Sequence, residues 1–88
     1  MSRKAGDKMK NLKLILENPN TQTEIVLGFV ADEDEANEVV DCIEEKWFSL
    51  IDSNLDKPVD TLTDDPVLLN WEGSDIYYIN SYNEHFYL

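Results

Sequence analysis

From Leu12 the chain alternates with a period of two. Leu12, Leu14 and Leu16 share one parity, and Lys13, Ile15 and Glu17 share the other. That is the pattern of a half-buried strand. Asn18-Pro19-Asn20-Thr21 then supplies turn chemistry, because proline fixes φ and asparagine tolerates left-handed backbone. A second alternating run follows from Thr23 to Val30. Unbroken alternation sorts Ile25, Leu27 and Phe29 to one face and Val26, Gly28 and Val30 to the other. Two such runs joined by a short loop predict an antiparallel hairpin.

The period changes at Asp32. This residue is a candidate N-cap, with Glu35 three positions later in a capping-box arrangement. The helix is predicted over about Glu33 to Asp52. At 100° per residue, Ala36, Val39, Val40, Ile43, Trp47, Leu50 and Ile51 fall in a sector about 120° wide, a buried face suited to lie across the hairpin. Cys42 falls at the border of this face, where a packed thiol is expected.

Residues 53–65 form a polar connection. Asp64, Asp65 and Pro66 suit the cap of a short helical turn through Leu69 and Trp71, but Val67 to Trp71 equally suits a strand turning at Glu72-Gly73-Ser74. Asp75 to Tyr82 is rich in strand formers, and Glu84 to Leu88 suits a last short strand. In a strand from Asp75, Ile76, Tyr78 and Tyr82 would share one face, and Tyr77 and Ile79 the other. The fold class expected is α+β: a small antiparallel sheet, from the N-terminal hairpin and C-terminal strands, with one long amphipathic helix packed on one face. Residues 12–88 form a single domain in this reading, preceded by a basic flexible arm over residues 1–11.

Charge sharpens the picture. The 88 residues hold 19 acids and 7 bases, a formal charge of -12. Five of the bases (Arg3, Lys4, Lys8, Lys10 and Lys13) lie in the first thirteen residues, which leaves two bases against eighteen acids in residues 14–88. A body of that sign repels phosphate, so no direct nucleic-acid binding is expected. No apolar run approaches the roughly 18–20 residues of a membrane span, so no membrane partner is expected. A single cysteine excludes an internal disulfide framework and fits a cytoplasmic location.

The inventory of reactive groups argues against an enzyme. The sole histidine, His85, is the fourth residue from the C-terminal end, with nothing nearby to suggest a triad. Gly6, Gly28 and Gly73 are too scattered for a phosphate loop. One Cys and one His cannot close a zinc site. Asp52-Ser53-Asn54-Leu55-Asp56 resembles the start of an EF-hand loop, but Lys57 stands where glycine is required and Thr63 where a bidentate glutamate is required. No cofactor or metal is expected.

The informative feature is where the helix puts its acids. Asp34, Glu38, Asp41, Glu45 and Asp52 fall within a wedge about 60° wide, opposite the apolar face. Glu44 and Phe48 lie beside this line. Solvated helix faces usually alternate Glu with Lys at i,i+4, whereas here Asp34–Glu38 and Asp41–Glu45 are like-charged, at a cost of about 0.2–0.5 kcal/mol each. With Glu33, Glu35 and Glu44, eight carboxylates occupy the helix, one per about 3.7 Å of axis. Phosphates on one DNA strand repeat at about 3.4 Å.

In size, charge and α+β pattern the chain is similar to the small acidic proteins that phages use against host defences, such as anti-CRISPR proteins and uracil-DNA glycosylase inhibitors. The similarity is compositional, with no motif matched residue by residue. It implies a non-enzymatic inhibitor whose partner is a protein with a basic nucleic-acid-binding groove. The interface expected is Asp34, Glu38, Asp41, Glu44, Glu45 and Asp52 as phosphate surrogates, with Phe48, Tyr78 and Tyr82 as aromatic anchors. The competing reading is an acidic adaptor that binds its partner through a tyrosine-rich sheet surface. Either a monomer or a homodimer fits.

Overall fold

The computed structural model describes residues 9–88, so positions 1–8 of the arm expected from sequence lie outside the described residues. Strand β1 (Leu12–Asn18) and strand β2 (Thr23–Val30) form the hairpin. Helix α1 spans Glu33–Asp52. A single 3-10 turn at Val59–Thr61 and a short helix α2 (Pro66–Leu69) precede strands β3 (Asp75–Ile79) and β4 (His85–Tyr87). The four strands form one antiparallel sheet of order β2-β1-β3-β4, with the long helix on one face: a small α+β fold, as the sequence pattern predicts.

Leu14 and Leu16 of β1 are buried on the helix side, and Ile15 is buried on the opposite face, where Val26 of β2 and Tyr77 of β3 stand beside it. The even positions of β1 meet the helix. Leu14, Val30 and Ala36 form the core there, with Leu12, Leu27, Val39, Ile76 and Tyr78 packed around them. Truncating Leu14 to Ala would cost about 3 kcal/mol. The helical face expected from the wheel is the one turned inward, but only Ala36 is fully buried, with Val39, Val40, Ile43, Trp47, Leu50 and Ile51 half-buried. Cys42 departs from expectation: its thiol is exposed, because it stands outside the sector of buried and half-buried residues that α1 turns to the sheet.

The N-cap bond forms as the sequence implies, while the return bond of Glu35 goes to Ala31, the residue before the N-cap. The Glu35 backbone N–H donates to Asp32 Oδ1 at 2.9 Å, and the Glu35 carboxylate reaches back to the N–H of Ala31 at 3.2 Å. Lys10 Nζ lies 3.5 Å from the same carboxylate. Within residues 64–71 the helical turn forms over Pro66–Leu69: Asp65 Oδ1 accepts from the N–H of Val67 at 2.9 Å, with Pro66 at the first helical position.

One expectation fails in β2. A bulge shifts the register between Leu14 and Ile15, so that Gly28 opposes Leu14 and Val26 opposes Ile15. Leu27 is the extra residue, and Gly28 adopts φ 145°, a backbone region that side chains rarely enter. Sidedness therefore inverts along the strand. Ile25, Gly28 and Val30 oppose Leu16, Leu14 and Leu12 on the helix side, while Val26 and Phe29 oppose Ile15 and Lys13 on the far side.

Asn18, 4% exposed, ties the hairpin turn to the α2 region. Its Nδ2 donates to the carbonyls of Asn70 at 2.9 Å and Glu72 at 3.3 Å, and its Oδ1 accepts from the N–H of Asn20 at 3.0 Å. A buried polar side chain is thus satisfied from both ends.

Candidate functional site

Helix α1 carries the acid line because its inward face is spent on the sheet. Asp34, Glu38, Asp41, Glu45 and Asp52 are all exposed, as is Glu44. None of the six takes part in an ion pair among the described residues. The first turn holds Glu33, Asp34 and Glu35, which the helix dipole favours, whereas the last turn holds no base and ends on Asp52, which the dipole disfavours. Phe48, 54% exposed, lies beside the line, one turn from both Glu44 and Asp52. The result is a single helical surface with six carboxylates in no ion pair among the described residues and one exposed aromatic ring.

A groove of about 410 Å³ adjoins this surface between α1 and β2, lined by Leu27, Val39, Cys42 and Ile43 with Glu35, Glu38 and Lys46. It connects the acid line to apolar side chains.

The two tyrosines expected with the stripe do not join it. Tyr78 is half-buried on the helix side of the sheet and stacks on Phe86 at 5.1 Å and 20°. Tyr82 is 80% exposed but lies in the β3–β4 connection, because β3 stops at Ile79. There Asn80 Oδ1 accepts from the N–H groups of Tyr82 at 2.9 Å and Glu84 at 3.0 Å, closing the turn. The shared strand face drawn from alternation therefore ends before Tyr82.

Register assembles a second acidic group that sequence inspection misses. Glu17 pairs with Glu24 of β2 on one side and with Asp75 of β3 on the other. The three carboxylates cross the sheet in one row on the face away from α1. Tyr77 sits beside them, its Oη donating to Glu24 Oε2 at 3.4 Å. Burial pushes the Tyr77 hydroxyl above its ordinary value of 10.0, and the Glu24 and Glu17 charges push it the same way. No sequence signal marks this row, because its members are seven and fifty-one positions apart along the chain and only strand order unites them.

The EF-hand-like run is dispersed. Asp52 ends α1, Asn54 Nδ2 donates to the Leu50 carbonyl at 3.1 Å, and Asp56 and Asp60 are exposed. Among the described residues no group of three His, Cys, Asp or Glu side chains converges on a metal position. His85 is exposed on β4 and meets the Tyr77 ring edge-on at 5.1 Å. No helix among the described residues is long and apolar enough to cross a membrane. Comparison with protein-family models, with characterised proteins and with solved structures yields no match.

Proposed function

We propose that this protein is a non-enzymatic, cytoplasmic inhibitor that binds a nucleic-acid-handling protein through helix α1, presenting carboxylates where the partner's groove would hold phosphates. The observation that carries this reading is the line of Asp34, Glu38, Asp41, Glu45 and Asp52, exposed and without ion-pair partners among the described residues. Such a line weakens its own helix, since like charges at i,i+4 each cost about 0.2–0.5 kcal/mol. A solvated face serving only solubility gains nothing from concentrating acids in one row without bases. A basic groove repays that cost through charge complementarity. Phe48 supplies the apolar contact that charge alone lacks, and Glu44 extends the row towards it.

The test is capture of partners from a host lysate on the immobilised protein, followed by elution with salt and, separately, competition with duplex DNA. The reading requires that captured proteins bind nucleic acid, leave with rising salt and are displaced by DNA. Partners that remain through high salt and ignore DNA would refute it.

A further inference from the structure

The sheet face opposite α1 is a second surface, with chemistry of its own. Val26, Phe29 and Tyr87 lie on it, exposed by 52%, 55% and 62%, around the buried Ile15 and Tyr77. The Tyr87 and Tyr77 rings are 5.0 Å apart, so the exposed aromatic area is held by a neighbour rather than splayed into solvent. At one end of this face stands the Glu24–Glu17–Asp75 row, whose members are in no ion pair among the described residues.

We propose that this face docks a cationic polypeptide segment in which Arg or Lys side chains accompany apolar ones. Charge complementarity selects the occupant. Like charges directly across a ladder are unfavourable, and a guanidinium or ammonium group placed over Glu17 relieves both contacts at once. Opposing Cβ atoms on neighbouring strands are about 5 Å apart, so the row spans about 10 Å, within reach of two basic side chains at alternate positions of an extended segment. Arginine adds a planar face that stacks on tyrosine or phenylalanine, the ring types of Tyr87 and Phe29. Nucleic acid is the wrong sign for the row. A second copy brings its own three carboxylates and a chain of charge -12. This surface is separate from the α1 line, and the proposal stands or falls without it.

The experiment titrates the isotope-labelled full chain with a short synthetic peptide alternating Arg and Leu, read by backbone amide shifts, with a Glu-for-Arg peptide in parallel. Saturable shifts are expected in β1, β2, β3 and β4 around Glu17, Phe29 and Tyr87, and none with the acidic peptide. The Glu17→Gln/Glu24→Gln double variant should weaken binding about tenfold or more. Phe29→Ser, at an exposed position, should also weaken it while leaving the spectrum that of a folded chain. Glu38→Gln/Asp41→Asn/Glu45→Gln should leave it unchanged. Shifts confined to α1, or full affinity in Phe29→Ser, would overturn the proposal in favour of diffuse charge attraction. Concentration-dependent shifts of the same residues without peptide would overturn it in favour of a second copy.

Discussion

Glu17 on β1 stands directly opposite Glu24 on β2, two carboxylates facing each other where a sheet usually sets opposite charges. Asp75 faces Glu17 from the other side. Glu17→Gln removes both like-charge contacts and deletes no ion pair among the described residues. Cross-strand pairs contribute about 0.2–1 kcal/mol each, so the variant should be more stable by about 0.5–1 kcal/mol at low ionic strength. Urea denaturation is the measurement. The gain should shrink as salt is added, since screening already relieves the wild-type repulsion. A loss of stability in Glu17→Gln would mean that the carboxylate has a favourable partner.

Tyr77 extends the same cluster into pH dependence. Burial, then the Glu24 and Glu17 charges, raise its hydroxyl above 10.0 in the folded chain. The native state therefore holds this proton more tightly than the unfolded state does. The associated stability is fully present below pH 10 and is lost as pH rises through the folded value. Spectrophotometric titration should find one of the four tyrosines ionising later than the others. Tyr77→Phe should remove that late step, and Glu24→Gln should move it downward. A titration in which Tyr77→Phe leaves the late step intact would contradict the assignment.

The α1 line sets stability against binding. Glu38→Gln/Asp41→Asn/Glu45→Gln deletes like charges from exposed positions. The fold should persist and gain up to about 1 kcal/mol, because only repulsion is removed. Partner binding, if α1 is the interface, should weaken by at least about 2 kcal/mol. Circular dichroism with denaturation reads the first quantity, and calorimetry with the captured partner reads the second. A triple variant that unfolds would show that these acids are structural.

Asn18 joins the β1–β2 turn to the segment after α2 with two donated bonds, and accepts two within the turn, from the N–H groups of Asn20 at 3.0 Å and Thr21 at 3.4 Å. Asn18→Ala leaves the Asn70 and Glu72 carbonyls without this donor and should cost about 2 kcal/mol. Asn18→Asp keeps the acceptor and loses the donor, so it should not rescue. Thermal melting resolves a difference of that size, which is about 8–16 °C in a domain of this length.

Gly28 offers a backbone test of the bulge. A Cβ there meets nothing within 4 Å, so crowding does not forbid a side chain. The φ of 145° does. Gly28→Ala should therefore destabilise by about 1–2 kcal/mol through backbone strain alone. A neutral result would mean that the strand relaxes into unbroken alternation, which amide shifts at Val26 and Phe29 would report.

Local signals in the chain determined the elements that depend on local physics. The alternating leucines from Leu12, the Asn18-Pro19 turn, the Asp32–Glu35 cap and the 3.6-residue apolar face are each satisfied by neighbours in sequence, and the hairpin and α1 follow from them. The acid line was legible for the same reason, since helical spacing alone aligns Asp34 with Glu38, Asp41, Glu45 and Asp52. Tertiary structure decided what depends on pairing. The capping signals at Asp65-Pro66 and the strand formers after them balance in sequence; the helical turn forms, and Asn18 bonds the Asn70 and Glu72 carbonyls that follow it. Alternation put Val26 and Phe29 on opposite faces because it presumes unbroken register, and one inserted residue at Leu27 reverses the positions on one side of it relative to those on the other. It grouped Tyr78 with Tyr82 because it ran the alternation through Asn80, whose side chain instead closes the turn that ends β3 at Ile79. The Glu24–Glu17–Asp75 row exists only because β1 lies between β2 and β3, an arrangement set by which apolar faces bury together and not by any residue in the row.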